Sequence, residues 1–455
     1  MNIPKGTRYF NEKEILKREF LIKIIKNNFK LFGFSQIETP SFEIKSLLKK
    51  QYGEENEKLI FNILKTGFSF KENFKKLINK NDKEFLNYLS NKYLRYDLTI
   101  PFLKYIYFNK DKIIFPFKRY QIQMVWRADR PQKGRYQEFY QCDADIAGKK
   151  SLWQEIDLIQ LYYKIFLELN IPTIIKINNR KILFGLIEIF NIKKHYEFIK
   201  ILDKWDKIGK EKVKIKLLDK GLSIKNWKKL NYLYNNNTLL EEKIKIINFF
   251  LKKSEIGKKG INSIKFIFNK IKKLNIKNIN LEFNILLSRG VNYYTGTIFE
   301  IFYEKNKKLA IGGGGRYDNI DNNILKLKNL SCVGISIGLD RVILIMEKLK
   351  LFPSIYTNKI KILFLNFGIE ESLKCYKIIN LLRNKEISSD LYPKNEHINK
   401  QIKYAKKKKI TFIVMLGKKE IEKNIIKIKK IKNKKELTFF SIEDLINYFL
   451  NYYNK

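Results

Sequence analysis

The chain has 455 residues, a length that suffices for two or three domains with substantial hydrophobic cores. It contains no apolar run of about 18 residues and no apolar amino-terminal signal segment, so the sequence predicts no membrane span. Its three cysteines are far apart and match no disulfide or zinc pattern, which favours a cytoplasmic location. The net charge of +46 would suit a nucleic-acid-binding protein, but lysine supplies most of it, so charge alone is weak evidence.

The amino-terminal region predicts a helix followed by short strands. Asn11–Phe32 begins with an N-cap residue and a glutamate three positions later, and its apolar residues recur at helical spacing, which predicts an amphipathic helix. Gly33–Glu43 predicts a turn and a short strand that ends at Pro40. Lys58–Leu64 predicts another strand, and the lysine-rich stretch Lys71–Lys92 predicts a loop and a solvated helix.

The next informative stretch, Tyr93–Tyr107, contains two polar residues among apolar ones. It predicts Asp97 and Thr99 in a short strand just before Pro101, a residue that suits the first turn of a helix. From these residues alone, helix capping is the favoured role of Asp97 and Thr99.

The stretch Phe117–Gly148 predicts two antiparallel strands joined by a long loop, Ala128–Arg135. Both strands alternate with period two, and the polar face carries arginines on one strand and carboxylates on the next. Arginine is scarce in this lysine-rich chain, so we expect it where lysine cannot replace the planar guanidinium, which can donate two parallel hydrogen bonds. Four of the 12 arginines fall in this hairpin, which predicts an anion-binding site for phosphates. They are Arg119, Arg127, Arg130 and Arg135.

The second half of the chain predicts helices, then strands with chemically informative residues. Residues 178–280 carry apolar side chains at helical spacing and predict a mostly helical inserted domain. Leu286–Tyr303 combines Arg289 and two adjacent tyrosines with a strand. The four glycines in Ala310–Ile320 would let the backbone pass close to a ligand or a neighbouring strand. Val333–Leu349 predicts a strand that turns into a helix with an arginine at the junction, which suits the floor of a nucleotide pocket.

The last segment, residues 359–455, alternates strands and helices and predicts a small α/β domain. Its four-lysine run, Lys406–Lys409, is interpreted as a solvated surface. The chain has only two histidines, His195 and His397, in unrelated stretches, which argues against histidine-dependent catalysis. Any catalysis must therefore depend on charge and positioning, as in phosphoryl and nucleotidyl transfer.

Together these segments resemble the histidyl-tRNA synthetases, a family of class II aminoacyl-tRNA synthetases, over nearly the whole chain. The parts that resemble the three class II motifs are Gly33–Glu43, Phe117–Gly148 and Gly334–Val342. The parts that resemble the family's histidine-binding segments are Tyr96–Thr99, Ser288–Gly296 and Gly313–Asp318. One position departs from the family pattern, because Asn292 stands where an acidic residue is usual.

The resemblance implies an α+β catalytic domain with an antiparallel sheet, a helical insertion and a C-terminal α/β anticodon-binding domain. Residues 1–177 and 281–351 would form the catalytic domain, 178–280 the insertion, and 359–455 the anticodon-binding domain. The first class II motif would lie at a homodimer interface.

The resemblance also implies a reaction and the residues that perform it. L-histidine would react with ATP, which carries Mg²⁺, and would then be transferred to histidine tRNA; no permanent cofactor, protein metal site or membrane is implied. Arg127 would hold the α-phosphate, Arg289 would lie opposite it, and Arg341 would bind the triphosphate. Gln132 and Arg135 would contact the tRNA acceptor end. The residues implied to bind histidine are Asp97, Thr99, Gln141, Asp145, Tyr293, Tyr294 and Tyr317.

Three other interpretations compete with this one. A catalytically silent paralogue, such as the regulatory subunit of ATP phosphoribosyltransferase, would typically lack the C-terminal domain and need not keep Arg127 and Arg289. A plain RNA-binding protein would not explain the pocket residues. A synthetase for another amino acid is disfavoured by Ser288–Gly296.

Overall fold

The computed structural model describes residues 2–44, 58–67, 82–235, 239–276, 279–289, 293–318, 330–353, 362–433 and 435–453. The chain divides into two compact units, Met1–Phe352 and Pro353–Lys455. None of the helices in these ranges is long and apolar enough to cross a membrane.

The first unit is built on an eight-stranded sheet that is antiparallel except at its two edges. The strands of the described part of this unit are β1 (Ser35–Gln36), β2 (Phe42–Ile44), β3 (Asn62–Ile63), β4 (Lys92–Leu94), β5 (Phe117–Trp126), β6 (Glu138–Gly148), β7 (Thr173–Asn179), β8 (Leu281–Phe283), β9 (Thr297–Tyr303), β10 (Asn306–Arg316) and β11 (Ser331–Gly338). The large sheet has the order β1-β5-β6-β11-β10-β9-β7-β8, and β2, β4 and β3 form a separate small sheet. The pairs β1/β5 and β7/β8 are parallel.

Helices pack against this sheet and confirm most of the predicted helical segments. They are α1 (Glu12–Leu31), α2 (Asp82–Leu89), α3 (Thr99–Asn109), α4 (Trp153–Glu168), α5 (Arg180–Ile189), α6 (His195–Asp203), α7 (Trp205–Ile208), α8 (Lys210–Asp219), α9 (Ile224–Asn235), α10 (Leu240–Phe250), α11 (Glu255–Lys273) and α12 (Leu339–Lys348). At the start of α1, the Asn11 side chain accepts from the backbone N–H of Glu14 while the Glu14 carboxylate accepts from that of Asn11. The predicted capping signal is therefore confirmed.

The predicted hairpin is formed by β5 and β6, with Arg119 opposite Asp145 and Gln123 opposite Gln141. The apolar face of the hairpin packs into the main hydrophobic core, which includes Tyr120. The opposite face carries the arginines, glutamines and carboxylates. Because side chains alternate across a strand, burial of one face leaves the whole polar set on the other.

The structure corrects the prediction that Asp97 and Thr99 lie in a strand. Strand β4 ends at Leu94, and Thr99 is the first residue of α3. The Asp97 carboxylate accepts hydrogen bonds from the backbone N–H groups of Thr99 (3.1 Å) and Ile100 (3.3 Å). These bonds satisfy donors that a helix start leaves unpaired, although the N-cap residue itself is Leu98. The capping role favoured from sequence is therefore correct for Asp97 and wrong for Thr99, which is the first helical residue.

Helices α5 to α11 confirm the helical character predicted for residues 178–280. They share one hydrophobic cluster with the sheet and with α1, which joins Leu21, Cys142, Trp205, Ile264 and Met346. The inserted helices therefore contribute to the core of the first unit.

The second unit is a five-stranded mixed sheet with helices. In chain order its elements are β12 (Ile362–Phe364), α13 (Ile369–Asn384), β13 (Ser389–Leu391), α14 (Ile398–Lys407), β14 (Phe412–Met415), α15 (Lys418–Glu422), β15 (Ile426–Lys430), β16 (Glu436–Phe439) and α16 (Ile442–Tyr453). The sheet order is β13-β12-β14-β15-β16, with β12 parallel to both of its neighbours. The predicted α/β pattern is confirmed; α15 is too short to have been recognised from periodicity.

Candidate active site

An open cavity of about 1090 Å³, counting its mouth, lies against β6, β9, β10 and β11. The predicted histidine-binding residues that line it are Asp97, Thr99, Gln141, Asp145, Tyr293, Tyr294 and Tyr317. The arginines that line it are Arg127, Arg135, Arg289 and Arg341. Residues as far apart in the chain as Asp97 and Arg341 thus contribute to one site.

The other predicted residues lie elsewhere. Gln132 and Arg130 are exposed in the hairpin loop and do not line the cavity. Arg119, which the sequence grouped with the anion-binding arginines, is fully buried, and its Nη2 lies 2.8 Å from Asp145 Oδ2. Its charge is neutralised inside the protein, so the prediction that it binds an external anion is wrong. Asn292 lies outside the described residues.

Arg127 is held at the end of β5 by two hydrogen bonds. Its Nε donates to the Tyr96 carbonyl oxygen and its Nη2 donates to Gln141 Oε1, each at 3.0 Å. The guanidinium also lies 4.3 Å from the centre of the Tyr96 ring. Because a guanidinium has five N–H donors, further donors remain for an anion in the cavity.

Arg289 reaches the cavity across a glycine of β10. Its Nη1 donates to the Phe299 carbonyl oxygen at 3.0 Å, and its backbone adopts a φ of +52°. A Cβ atom at Gly313 would lie only 1.6 Å from this Nη1. The glycine run therefore leaves the space that the guanidinium occupies, as expected for backbone that must be approached closely.

Arg341 connects the start of α12 to the hairpin loop. Its Nε donates to the Gly134 carbonyl oxygen at 3.1 Å and its Nη1 to that of Ala310 at 2.6 Å. Burial lowers the pKa of Arg341, and the charges of Arg127 and Arg135 lower it further. Several positive charges thus repel one another around the cavity, and a bound polyanion would relieve that repulsion.

Buried carboxylates supply the opposite charge. Asp145 accepts a short hydrogen bond from the Tyr317 hydroxyl and pairs with Arg119. A Cβ atom at Gly334 would lie 1.7 Å from Asp145 Oδ1, so only glycine leaves room for this carboxylate. Burial raises the pKa of Asp145, and burial followed by the charge of Asp145 raises the pKa of Asp143. A cationic ligand would favour the ionised form of both groups.

Three tyrosines form an aromatic wall beside these carboxylates. The Tyr293 ring centre lies 4.7 Å from that of Tyr294 and 6.0 Å from that of Tyr317. Aromatic rings with hydroxyl groups can pack against a flat ligand and hydrogen-bond its polar atoms. The cavity therefore combines arginines, which can bind phosphate groups, with carboxylates, which can bind an ammonium group, and an aromatic surface, which can pack against a ring.

Sequence reasoning missed several residues of the cavity wall. They are Tyr136, Asp143, Glu300, Ser336 and Asp340. Asp143 could have been found, because it shares the polar face of β6 with Gln141 and Asp145. Ser336 had no local signal, and its Oγ accepts from Gln141 Nε2 at 2.9 Å only because β11 lies beside β6.

Comparisons with known proteins show which family the chain is similar to. The family model for histidyl-tRNA synthetase matches residues 93–342, and the model for the anticodon binding domain matches residues 359–452. The chain is 45% identical to the histidine–tRNA ligase of Christiangramia forsetii over 95% of both chains. It is also 45% identical to that of Flavobacterium johnsoniae, over 94% of this chain and 95% of the relative.

Solved structures give the same result. The crystal structure of histidyl-tRNA synthetase from Nostoc sp. PCC 7120 superposes with a TM-score of 0.76 at 25% identity, covering 99% of each chain. A structure from Bacillus halodurans C, described as an ATP phosphoribosyltransferase regulatory subunit/histidyl-tRNA synthetase, has a TM-score of 0.67 at 15% identity and shows the fold alone; it covers 91% of this chain and 98% of that one. The predicted fold class is confirmed, and the chain belongs to the histidyl-tRNA synthetase family.

Proposed function

We propose that this protein is a histidine–tRNA ligase and that the cavity against β6, β9, β10 and β11 is its active site. The observation that carries the proposal is the position of Arg127, Arg289 and Arg341. Each guanidinium is fixed by a backbone carbonyl, and all three line the same cavity as the buried carboxylates. Preorganised donors of this kind stabilise charge that develops during phosphoryl or nucleotidyl transfer.

In the first step, the histidine carboxylate attacks the α-phosphate of ATP, forming histidyl-adenylate and releasing pyrophosphate. Arg127 and Arg289 neutralise charge on the reacting phosphate, and Arg341 binds the triphosphate. The step needs no side-chain nucleophile, because correct positioning and neutralisation lower the barrier. Mg²⁺ enters bound to ATP; the Glu300 carboxylate in the cavity wall is an oxygen ligand of the kind that Mg²⁺ prefers.

Histidine is selected by the polar residues of the pocket. The Asp97 and Asp145 carboxylates attract the substrate ammonium or ring N–H groups, while Thr99 and Gln141 contribute further polar contacts. Tyr293, Tyr294 and Tyr317 surround the imidazole. An amino acid without matching polar atoms would leave these buried groups unpaired, which is costly.

In the second step, the terminal ribose of the tRNA attacks the carbonyl carbon of the adenylate. Gln132 and Arg135, in the hairpin loop, contact the acceptor end, and the second unit binds the anticodon. The protein acts as a homodimer in the cytoplasm. Residues 1–177 and 281–351 form the catalytic domain, residues 178–280 the insertion, and residues 359–455 the anticodon-binding domain.

The direct test is ATP–pyrophosphate exchange with each of the twenty amino acids, followed by charging of histidine tRNA. We expect exchange with L-histidine alone. Exchange with a different amino acid would refute the substrate assignment. Absence of exchange in folded protein would instead favour a catalytically silent paralogue.

A shortened chain that ends at Phe352 tests whether the first unit forms the adenylate without the second unit. The two units have separate hydrophobic cores, so the first unit should fold without the second. We expect histidine-dependent pyrophosphate exchange to persist and tRNA charging to weaken, because anticodon contacts are lost. Circular dichroism and sedimentation confirm that the shortened protein is folded and dimeric. Loss of exchange in such a protein would contradict the proposal that the first unit forms the adenylate by itself.

A further inference from the structure

The amino-terminal residues 4–10, here called the amino-terminal strap, contact the hairpin that forms one wall of the cavity. The Gly6 carbonyl oxygen accepts from the backbone N–H of Gln137 at 2.9 Å. Gly6 has a φ of +80°, and a Cβ atom there would lie 2.6 Å from Gln137 Cγ. Only glycine fits both the backbone conformation and the close approach, so the strap is shaped to pack at this point.

Arg8 of the strap contacts two residues of the cavity wall without lining the cavity itself. Its guanidinium carbon lies 3.3 Å from the centre of the Tyr136 ring, and its Nη2 lies 2.6 Å from Asp340 Oδ1. Tyr136 and Asp340 both line the cavity, from the hairpin and from α12 respectively. Arg8 and Asp340 are 332 positions apart in the chain, so this contact is purely tertiary.

Asp340 is held by a second arginine. Arg18 Nη1 lies 2.6 Å from the same Oδ1 atom, and the Asp340 side chain is 5% exposed. Two guanidiniums on one buried carboxylate fix its position firmly, because displacing it would leave buried charges unpaired. Asp340 is in the first turn of α12, where a negative charge also suits the helix dipole.

The residue after Asp340 is Arg341, which the proposed function places on the triphosphate. Arg341 donates to the Gly134 carbonyl oxygen of the hairpin loop. Arg341 therefore depends on the relative placement of the loop and the start of α12. Arg8 adds a second link between these elements, through Asp340 of α12 and through Tyr136, the residue that follows the loop.

We propose that Arg8 is a positioning residue of the ATP site. By bridging Tyr136 and Asp340, it fixes the separation between the hairpin loop and α12 and so holds Arg341 where the triphosphate binds. This inference rests on the proposed function, because it needs the cavity to be the ATP site. It assigns the amino-terminal strap a part in nucleotide binding.

The test compares Arg8→Ala with Lys17→Ala in the full-length protein. Lys17 Nζ pairs with Glu347 Oε1 at 2.6 Å and so links the amino-terminal region to the same helix, α12, but at a distance from the cavity and on the surface. For Arg8→Ala we expect the KM for ATP in histidine-dependent pyrophosphate exchange to rise about 10- to 100-fold, as for a displaced binding group. In Arg8→Ala the KM for histidine should change by less than about threefold. In Lys17→Ala the kcat and both KM values should also change by less than about threefold.

Arg8→Lys separates charge from shape. Lysine retains the charge beside Asp340 but lacks the planar group that stacks on Tyr136, so we expect partial recovery of the KM for ATP. Thermal melting shows whether each variant is folded. Equal effects of Arg8→Ala and Lys17→Ala, or equal increases in both KM values for Arg8→Ala, would overturn the positioning role. If the wild-type protein itself shows no exchange, the proposed function has failed instead.

Discussion

Replacing Arg127 by lysine is expected to slow histidyl-adenylate formation by roughly 10²–10³-fold, the loss typical of one electrostatic stabiliser. Lysine keeps the positive charge, but it cannot donate to the Tyr96 carbonyl and Gln141 while also presenting further N–H groups to a phosphate. The rate of histidyl-adenylate formation in a single turnover measures this step. The Kd for histidine in the absence of ATP, measured by calorimetry, should change little because the carboxylates and tyrosines remain.

Arg130→Lys is the matched control for this prediction. Arg130 lies three positions further along, in the hairpin loop, and it is exposed and does not line the cavity. We expect its adenylation rate to equal that of the wild type. If Arg127→Lys retains activity within a few-fold of Arg130→Lys, Arg127 does not hold the phosphate.

A second large effect is expected from Gly313→Ala. The added methyl group would lie 1.6 Å from Arg289 Nη1, so the guanidinium must leave the position in which it donates to the Phe299 carbonyl. A displacement of this size in a group that acts on the transition state should reduce the exchange rate by about 10²-fold or more. The rate at saturating ATP and histidine is the measurement, with circular dichroism as the check on folding.

The neighbouring Gly312→Ala provides the control, because its methyl group would point to the other face of β10. There it would meet the Ser336 carbonyl oxygen at 3.0 Å and the Tyr162 ring at 3.3 Å. A small shift can relieve these contacts, so we expect some loss of stability and only a few-fold loss of rate. Full activity in Gly313→Ala would show that Arg289 is not needed at its observed position.

The features predicted correctly from sequence are those determined by local physics. The Asn11 capping signal, the alternation in β5 and β6, and the small-residue strand that leads into α12 each depend on residues within one or two elements. Arginine scarcity drew attention to Arg127, and the structure places Arg127 in the wall of the cavity.

The features that sequence reasoning missed depend on the tertiary arrangement. Arg119 shares the alternating face with Arg127, and only the register that places it opposite Asp145 explains why it is buried. The contact between Arg8 and Asp340 joins the two ends of the first unit, and nothing near either residue indicates it. Individual side-chain roles therefore depended on the folded structure more than the secondary structure did.

The hydrophobic cluster shared by the sheet and the inserted helices has a consequence for how the first unit unfolds. Leu21 and Met346 from the ends of this unit belong to the same cluster as Ile264 from the insertion. Exposing the insertion would remove packing from the sheet, so the elements should lose their structure cooperatively. Backbone amides in α11 and β11 should then exchange with solvent deuterium through the same global opening. Replacing Ile264 by alanine would leave a cavity in this cluster, although Ile264 does not line the candidate active site, and would increase the fraction of molecules that are unfolded and inactive.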